Sequence, residues 1–196
     1  MTVTDVNVVK SAIFERPDDA NKGTLGSLLC VCGSYGMAGA AVMSAKGALR
    51  TGIGLAKCAL PRSIYPIVAQ TILESVYYPL SENADGRISK VNVPFLVSES
   101  CKSSATLVGC GLGVCDDTLK IVFSLIENST TPLVIDADAL NCVAKQPEIL
   151  LRKKAPIIIT PHPGEMSRLT GLATSLVNAE RERVALDFAQ KYGVVT

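Results

Sequence analysis

The chain has 196 residues, of which 48% are hydrophobic, so it can bury a sizeable core, and we expect a single domain over residues 1–196. Nineteen basic and eighteen acidic residues leave a net charge of +1, which argues against a nucleic-acid-binding surface and against a polybasic membrane patch. The apolar runs are short and Asp5 interrupts the N-terminal segment, so we predict no signal peptide and no membrane span.

The predicted elements alternate between strand and helix. The first elements are a helix over Asp5–Phe14, a strand over Ser27–Cys32, a helix over Ala38–Thr51, a strand over Ile53–Leu60, a helix over Pro61–Gln70 and a strand over Ser75–Tyr78. After a loop over Ser81–Gly86, the pattern predicts a helix over Val93–Ser100, a strand over Ala105–Val108, a helix over Asp116–Asn128 and a strand over Leu133–Ile135. Two short helices then lead to a strand over Pro156–Ile159 and to helices over Pro163–Thr170 and Asn178–Tyr192. This alternation predicts parallel βαβ units, and therefore an α/β fold with helices on both faces of a sheet.

Glycine and proline mark several of these boundaries. Gly52 is expected to be a C-cap, and Pro61 and Pro163 are expected in the first turns of their helices. After the last helix, Gly193 and the apolar segment Val194–Thr196 indicate the start of another buried strand. We therefore expect either that very few further residues complete this strand, or that the chain is the N-terminal two-thirds of a longer protein.

The seven cysteines form no Cys-x-x-Cys pair, and most of them lie in apolar segments such as Leu28–Cys32. Such cysteines are typical of small buried residues in a reducing compartment, so we expect a cytoplasmic protein with neither disulfides nor zinc. The single histidine, His162, has no cysteine near it in the sequence, which also disfavours zinc.

Four turns at the ends of predicted strands carry the residues that could do chemistry, because ligands of open α/β sheets bind beyond the carboxyl ends of the strands. Two of them are rich in glycine: Gly33-Ser34-Tyr35-Gly36-Met37-Ala38-Gly39-Ala40-Ala41 and Gly109-Cys110-Gly111-Leu112-Gly113. Glycines let backbone amides approach an anion at a helix N-terminus, although neither the Walker nor the dinucleotide spacing is present. For the first turn, tight helix packing through small residues is the alternative.

The third turn, Asp136-Ala137-Asp138-Ala139-Leu140-Asn141, delivers two carboxylates and an amide to the same edge of the sheet. Carboxylates two residues apart can hold Mg²⁺ through water or orient a hydroxyl group. We interpret Asp136 as a site residue and Asp138 as the N-cap of the following helix.

The fourth turn, Thr160-Pro161-His162-Pro163-Gly164-Glu165, holds His162 between two prolines. Histidine titrates near neutrality, and fixed proline φ angles would hold it in one place, which favours a site. The alternative is a capped strand-to-helix turn, with Pro163 opening the helix and Glu165 in its first turn. Both interpretations stay open from the sequence.

These strings occur together in one known family. Gly33-Ser34 with Gly39-Ala40, the segment 48–54 (Ala-Leu-Arg-Thr-Gly-Ile-Gly), the Asp136–Asn141 string and the Thr160–Glu165 string have the order and spacing found in ADP- or ATP-dependent NAD(P)H-hydrate dehydratases. The chain resembles these enzymes of the ribokinase-like carbohydrate kinase group over nearly its whole length. The resemblance implies a ribokinase-like three-layer αβα fold with a mostly parallel central sheet, incomplete at its C-terminus.

The activity that the resemblance implies is metabolite repair. A nucleotide phosphorylates the hydroxyl group of NADH hydrate or NADPH hydrate, and loss of phosphate then restores the dihydronicotinamide. The implied cofactors are ADP or ATP with Mg²⁺, and the implied assembly is a homo-oligomer. Two alternatives are kept: a ribokinase-like kinase of a small alcohol or vitamin precursor, and a non-catalytic nucleotide-binding remnant.

The resemblance also assigns site residues. The substrate-binding set is Gly33, Ser34, Gly39, Ala40, Gly109, Gly111, Gly113, Asp136, Asn141 and His162. The nucleotide or phosphate region is Asp136, Pro163, Gly164 and Glu165. No residue is assigned as a metal ligand.

Three departures from the family pattern qualify these assignments. Asn21-Lys22-Gly23 stands where the family usually has His-Lys-Gly, and Cys110 stands where it usually has proline, which would loosen that turn. The family's Gly-x-Gly-Asp turn, with the catalytic aspartate, would lie beyond Thr196, so no catalytic residue is assigned. Without that turn, we expect the 196-residue chain to bind ligand poorly and to turn over little.

Overall fold

The computed structural model of the protein describes Asp18, Ala20 and residues 23–196. The predicted helix Asp5–Phe14 and the pair Asn21-Lys22 lie outside the described residues. Within residues 23–196 the chain alternates between strands and helices, as the sequence pattern predicted.

Six strands and eight α-helices are found in the described part of the chain. The strands are β1 Ser27–Val31, β2 Leu55–Pro61, β3 Val76–Leu80, β4 Ala105–Val108, β5 Leu133–Ile135 and β6 Ile157–Ile159. The helices are α1 Ala38–Arg50, α2 Tyr65–Thr71, α3 Val93–Cys101, α4 Asp116–Asn128, α5 Asp138–Val143, α6 Pro163–Thr170, α7 Thr174–Ala179 and α8 Arg181–Tyr192, with 3₁₀ turns at Lys90–Asn92 and Pro147–Arg152. None of the helices in this described part is both long and apolar enough to cross a membrane.

The strands form one sheet in the order β3-β2-β1-β4-β5-β6, and every neighbouring pair is parallel. The chain moves outward from β1 to β3 and then returns to the other side of β1, where β4 begins the second half. A reversal of this kind opens a crevice between the carboxyl ends of the two central strands. The crevice therefore lies beyond Val31 and Val108, which are directly paired.

Helices cover both faces of the sheet, which confirms the predicted three-layer α/β architecture. On one face, α1 and α2 pack on β1 and β2 in a core made of Cys30, Cys32, Ala41, Ala45, Cys58, Leu60, Ile64, Val68 and Ile72. On the other face, a larger core joins β1, β4, β5 and β6 to the remaining helices, and it includes Leu29, Val31, Val108, Ile121, Leu125, Ile135, Ile159 and Phe188. The small side chains of α1 let that helix lie close to the strands.

A row of apolar side chains crosses β4, β5 and β6 on the face that α1 and α2 cover elsewhere. Leu107 pairs with Val134, Val134 with Ile158, and Ile158 with Val195. Exposure rises along the row: Leu107 and Val134 are half-buried, whereas Ile158 is 41% and Val195 60% exposed. The sheet thus presents apolar surface to solvent towards its β6 side.

The segment after α8 pairs with β6, in line with the strand predicted there. Val195 N–H donates to Ile157 O at 2.9 Å, and Ile159 N–H donates to Val195 O at 2.8 Å. Burial differs from the prediction, because Val194 is buried but Val195 is exposed.

The predicted helix Pro61–Gln70 begins too early. Pro61 is the last residue of β2 and pairs with Leu80, and α2 begins only at Tyr65, with Pro66 in its first turn. A proline can end a strand because the N–H it lacks is not needed there, so Pro61 did not mark the helix start.

The predicted helix Asn178–Tyr192 is in fact divided. Glu180, with φ −129° and ψ 41°, separates α7 from α8. The change of direction lets Val177 of α7 and Val184 of α8 both reach the core. Neither glycine nor proline marks this break, so it could not be predicted from the local sequence.

Smaller boundary differences occur around β2 and α1. The C-cap of α1 is Thr51, and Gly52 follows it with a φ of +92°, so the predicted C-cap is displaced by one residue. Strand β2 begins at Leu55 rather than Ile53. Gly193 ends α8 in the left-handed conformation, as predicted.

The cysteines are less uniformly buried than the sequence suggested. Cys30, Cys32, Cys58 and Cys142 are buried, and burial is the main cause that raises the pKa of the Cys30 and Cys58 thiols. Cys101 is exposed, and Cys110 and Cys115 are half-buried. These three cysteines lie in a helix end or in turns rather than inside strands, which explains their exposure.

Candidate ligand-binding site

The turn after β1 is tied directly to the turn after β4. Gly33 N–H donates to Cys110 O at 2.9 Å, and the buried Ser34 hydroxyl donates to Gly111 O at 2.8 Å. Gly33 has a φ of +84°, a conformation that glycine adopts without strain. The two glycine-rich turns that the sequence singled out therefore form one wall of the crevice.

The first turn of α1 packs on the second glycine turn through small residues. A Cβ atom at Gly111, whose φ is +64°, would lie 2.6 Å from Ala40 Cβ. Gly39, next to Ala40, is exposed beside this contact. Tight packing, the alternative considered for this turn, is thus present, and it brings Gly39 and Ala40 to the crevice at the same time.

The turn after β4 also contacts the turn after β5. A Cβ at Gly109 would overlap the Asp136 carbonyl oxygen and lie 2.7 Å from Ala139 Cβ. Gly109 N–H donates to Val31 O, and Asp136 N–H donates to Val108 O, so the strand ladder continues past the strand ends. These bonds fix both turns on the edge of the sheet.

The Asp136 carboxylate links three turns. Thr160 Oγ1 donates to Asp136 Oδ1 at 2.8 Å, and the Cys110 thiol donates to Asp136 Oδ2 at 3.3 Å. Asp136 is half-buried, so its carboxylate also faces the crevice. A charged acceptor held by two donors at this place can orient a ligand hydroxyl group.

The prediction that Asp138 is an N-cap is wrong. The N-cap of α5 is Ala137, with a positive φ of 49° and a ψ of −117°, and Asp138 is the first helical residue. The Asp138 carboxylate reaches the neighbouring turn, where Oδ2 accepts the Gly113 N–H at 2.8 Å. The Asp138 carboxylate therefore makes a hydrogen bond to a distant turn, at Gly113, instead of capping its own helix.

We expect Asp138→Ala to lower the free energy of unfolding by about 2 kcal/mol more than Asp116→Ala, since a charged acceptor is lost from a half-buried amide. Asp116 is the matched control, because it is the first residue of α4 and exposed, so both variants lose the same helix-terminus charge. Urea unfolding measures the difference. Equal destabilisation of the two variants would show that the Gly113 bond contributes nothing.

His162 caps α6, which confirms the capped-turn interpretation of the fourth turn. Its Nδ1 accepts the Gly164 N–H at 3.0 Å, and its Nε2 lies 3.3 Å from Glu165 Oε1. Glu165 is buried and accepts the His162 N–H at 2.9 Å, so the two residues cap the helix reciprocally. The imidazole is 62% exposed, and a ligand role for it stays a prediction.

The region predicted to hold nucleotide phosphate is engaged in the same cap. The Gly164 N–H is used by His162, and the Glu165 carboxylate places negative charge at the helix N-terminus that Pro163 opens. Asn141 lies further along, and its Oδ1 accepts Arg168 Nε at 2.7 Å. The structure brings Asn141 to α6, and among the described residues no side-chain hydrogen bond joins it to Asp136 or His162.

Sequence reasoning missed Thr160, Arg87 and Arg168 as residues around the crevice. Thr160 lay inside the singled-out string, and its hydroxyl after a strand end was an available signal. Arg87 sits against Gly113, where a Cβ would overlap its Nε, and it pairs with Asp85 at 3.1 Å. Arg87 lies in a polar loop, and an arginine in such a loop does not by itself indicate a ligand site.

The crevice has polar groups for an anionic ligand. In the part of the chain described, the amides of Cys110 and Gly111 donate to no protein acceptor, and the Arg87 guanidinium is nearby. No three His, Cys, Asp or Glu side chains among these residues converge as a metal site. The donors suit phosphate or pyrophosphate oxygens better than a metal held by protein groups only.

A parallel sheet with a strand-order reversal, two glycine turns and a carboxylate at that reversal defines the class: an α/β protein with its ligand crevice at the carboxyl ends of the strands. Residues 28–196 match the sequence profile of the NAD(P)H-hydrate dehydratase family of carbohydrate-kinase-like proteins. The chain therefore belongs to the NAD(P)H-hydrate dehydratase family.

Individual relatives agree with this assignment. The chain is 38% identical over 176 residues to the bifunctional NAD(P)H-hydrate repair enzyme Nnr of Thermofilum pendens, a match that covers 90% of this chain. It superposes with a TM-score of 0.77 and 26% identity on the ADP/ATP-dependent NAD(P)H-hydrate dehydratase of Bacillus subtilis, co-crystallised with ATP and Mg²⁺, over 96% of this chain. A ribokinase-like superfamily protein of Enterococcus faecalis, 20% identical with a TM-score of 0.72 over 93% of this chain, shares the fold.

The matched part of each relative is shorter than that relative. The match covers 34% of the Thermofilum enzyme, 62% of the Bacillus chain and 60% of the Enterococcus chain. The ribokinase-like α/β fold and the family follow from these matches.

Proposed function

We propose that this protein acts in the nucleotide-dependent dehydration of NADH hydrate or NADPH hydrate. The observation that carries the proposal is the continuous set of contacts from Ser34 through Gly111 and Cys110 to Asp136 and Thr160. These contacts join four strand-end turns in one crevice, and the family of the chain acts on this substrate class. Phosphoryl transfer to the substrate hydroxyl, followed by loss of phosphate, would restore the dihydronicotinamide.

The proposed substrate site uses the residues assigned from the sequence. Its members are Gly33, Ser34, Gly39, Ala40, Gly109, Gly111, Gly113, Asp136, Asn141 and His162. The glycine turns would admit the dinucleotide pyrophosphate to the backbone at half-buried Cys110, whose amide donates to no described acceptor. Asp136 would accept a hydrogen bond from the substrate and hold its orientation.

ADP or ATP with Mg²⁺ is the proposed co-substrate. Asp136 presents a carboxylate at the crevice, and one carboxylate with nucleotide phosphates is a sufficient ligand set for Mg²⁺. The donor set thus fits an ion carried in by nucleotide rather than one held by the protein only. When bound, Mg²⁺ would neutralise the charge of the transferring phosphoryl group.

The cellular setting is part of the proposal. Free thiols such as exposed Cys101 suit a reducing cytoplasm, where we place the protein.

Homo-oligomer formation is supported by the exposed apolar pair Ile158 and Val195 on the open side of the sheet. We treat residues 1–196 as one domain, and sedimentation of the chain with Ile158→Lys beside the unchanged protein would test the assembly.

The test of function is recovery of dihydronicotinamide absorbance from prepared NADH hydrate and NADPH hydrate, with ADP, ATP or no nucleotide. We expect recovery that requires nucleotide and releases phosphate, with little turnover by the 196-residue chain. A stable phosphorylated small alcohol, without recovery from either hydrate, would instead support the small-alcohol kinase. Nucleotide binding with no turnover of any substrate would support a non-catalytic nucleotide-binding protein.

His162→Ala should weaken the binding of NADPH hydrate about tenfold, because the exposed imidazole Nε2 is lost from the crevice rim. His162→Asn is the matched variant, since asparagine also caps helices well and keeps an acceptor for Gly164 N–H. Calorimetric titration should show the loss of affinity in both variants. Only the alanine variant should destabilise α6, because asparagine retains the cap. Unchanged affinity in both would limit His162 to capping.

A further inference from the structure

Two thiols meet at the strand-order reversal, and the proposed function gives neither a direct contact with the substrate. Cys32 follows β1 directly and is 1% exposed, and Cys110 is half-buried in the turn after β4. The backbone holds them together, since the Gly33 N–H donates to Cys110 O at 2.9 Å. The Cys110 side chain packs against the core cluster that contains Cys32.

The surroundings make the two thiols unequal. Asp136 Oδ2 accepts from the Cys110 thiol at 3.3 Å. The neighbouring Cys32 thiol lowers the pKa of Cys110, although burial and the Asp136 charge oppose that shift. The neighbouring Cys110 thiol and burial raise the pKa of Cys32 well above its ordinary value. Cys110 is therefore both the more accessible and the more readily ionised thiol.

We propose that Cys110 and Cys32 form a reversible redox pair that a hydroperoxide converts to a disulfide. The Cys110 thiolate attacks the peroxide oxygen, the O–O bond breaks, and the leaving alkoxide or hydroxide takes a proton, which gives Cys110 sulfenic acid. The Cys32 sulfur then attacks the Cys110 sulfur, forms the S–S bond and releases water. A dithiol reductant returns both thiols.

The disulfide would change the crevice directly. It removes the S–H donor that Cys110 offers to Asp136, and it constrains the turn 109–113 against β1. The Asp136 carboxylate would then keep Thr160 as its described donor. The pair does not rest on the proposed enzymatic function, because its formation needs no substrate.

Other thiols provide internal controls. Cys101 is exposed, and hydrogen bonds from Thr130 lower its pKa, but its described contacts are Ser100, Thr130 and Asn128 rather than another cysteine. It should oxidise without forming an intramolecular disulfide. Thr118 lies between Cys115 and Cys142, which keeps that second pair apart.

The test treats the folded 196-residue protein with hydrogen peroxide, blocks free thiols, digests with trypsin and analyses the peptides by mass spectrometry without reduction. Cleavage after lysine gives peptide 23–46, with Cys30 and Cys32, and peptide 103–120, with Cys110 and Cys115. We expect these two peptides to be cross-linked in most of the oxidised protein and released by dithiothreitol. Fragmentation of the cross-linked pair should place the bond at Cys32 and Cys110.

Variants make the assignment independent of fragmentation. Cys32→Ala and Cys110→Ala should each reduce the cross-link to background, whereas Cys30→Ala and Cys115→Ala should retain it. Thermal unfolding shows which variants fold. If Cys32→Ala does not fold, fragmentation of the cross-linked peptides from the unchanged protein identifies the two bonded cysteines. A cross-link that persists in Cys110→Ala, or its absence while Cys101 is oxidised, would overturn the proposal.

Discussion

Gly109→Ala is expected to lower the free energy of unfolding by about 3 kcal/mol or more, the largest effect on stability of any substitution considered for the crevice. Gly109 has a φ of +127°, a backbone conformation that residues with a side chain rarely adopt. The Cβ atom of an alanine at this position would overlap the Asp136 carbonyl oxygen. Neither the turn that holds Gly109 nor the turn that holds Asp136 can move easily, because the N–H groups of both residues continue the hydrogen-bond ladder of the sheet. The β4 and β5 turns would have to separate.

Gly47→Ala is the control for this variant. Gly47 lies inside α1, and nothing is within 4 Å of a Cβ built there. Alanine should stabilise that helix by about 0.5 to 1 kcal/mol. Urea unfolding of both variants gives the comparison, and thermal unfolding should place the midpoint of Gly109→Ala lower by about 6 to 12 °C. Equal stability of the two variants would mean that the turns are not packed as described.

Asp136→Ala should weaken the binding of NADPH hydrate by about tenfold to a hundredfold, the range expected when a charged hydrogen-bond acceptor is lost from a ligand site. The same change deprives Thr160 Oγ1 and the Cys110 thiol of their acceptor, so the turns of β4 and β6 lose a shared contact. The effect on affinity therefore combines a lost ligand contact with a less ordered crevice.

Asp136→Asn separates these two causes. Asparagine keeps an oxygen that can accept from Thr160, but it removes the negative charge. If the charge acts on the ligand or its Mg²⁺, Asp136→Asn should lose most of the affinity while retaining stability. Calorimetric titration and urea unfolding of both variants, with Asp116→Asn as an exposed control, measure the two effects. Unchanged affinity in a folded Asp136→Ala would remove Asp136 from the site.

Much of the fold followed from local chemistry. The glycines at 33, 109, 111 and 113 all have positive φ angles, so the sequence identified them through a requirement that other residues meet poorly. The Pro163–Thr170 helix and its Glu165 also appeared as expected, since capping depends on neighbours in the chain. Patterns that depend on adjacent residues were therefore predictable.

Features set by distant residues were not predictable. Asp138 looks like a cap from its neighbours, yet it bonds Gly113, which is 25 residues away. Pro61 and Pro66 both suit a helix start, and only pairing of Pro61 with Leu80 assigns Pro61 to the strand. Arg87 reaches Gly113 from a loop whose path the sequence does not specify. The meeting of Cys32 with Cys110 likewise depends on the position of β4 beside β1.

We propose that the crevice at the carboxyl ends of β1, β4, β5 and β6 binds the hydrated dinucleotide. The most direct test is a titration of the ¹⁵N-labelled chain with NADPH hydrate, followed through glycine amide signals in two-dimensional NMR spectra. We expect shifts at Gly33, Gly39, Gly109, Gly111 and Gly113, with the distant Gly47, Gly52, Gly171 and Gly193 unchanged. Shifts confined to the distant glycines, or no shift at any crevice glycine up to saturating ligand, would contradict it.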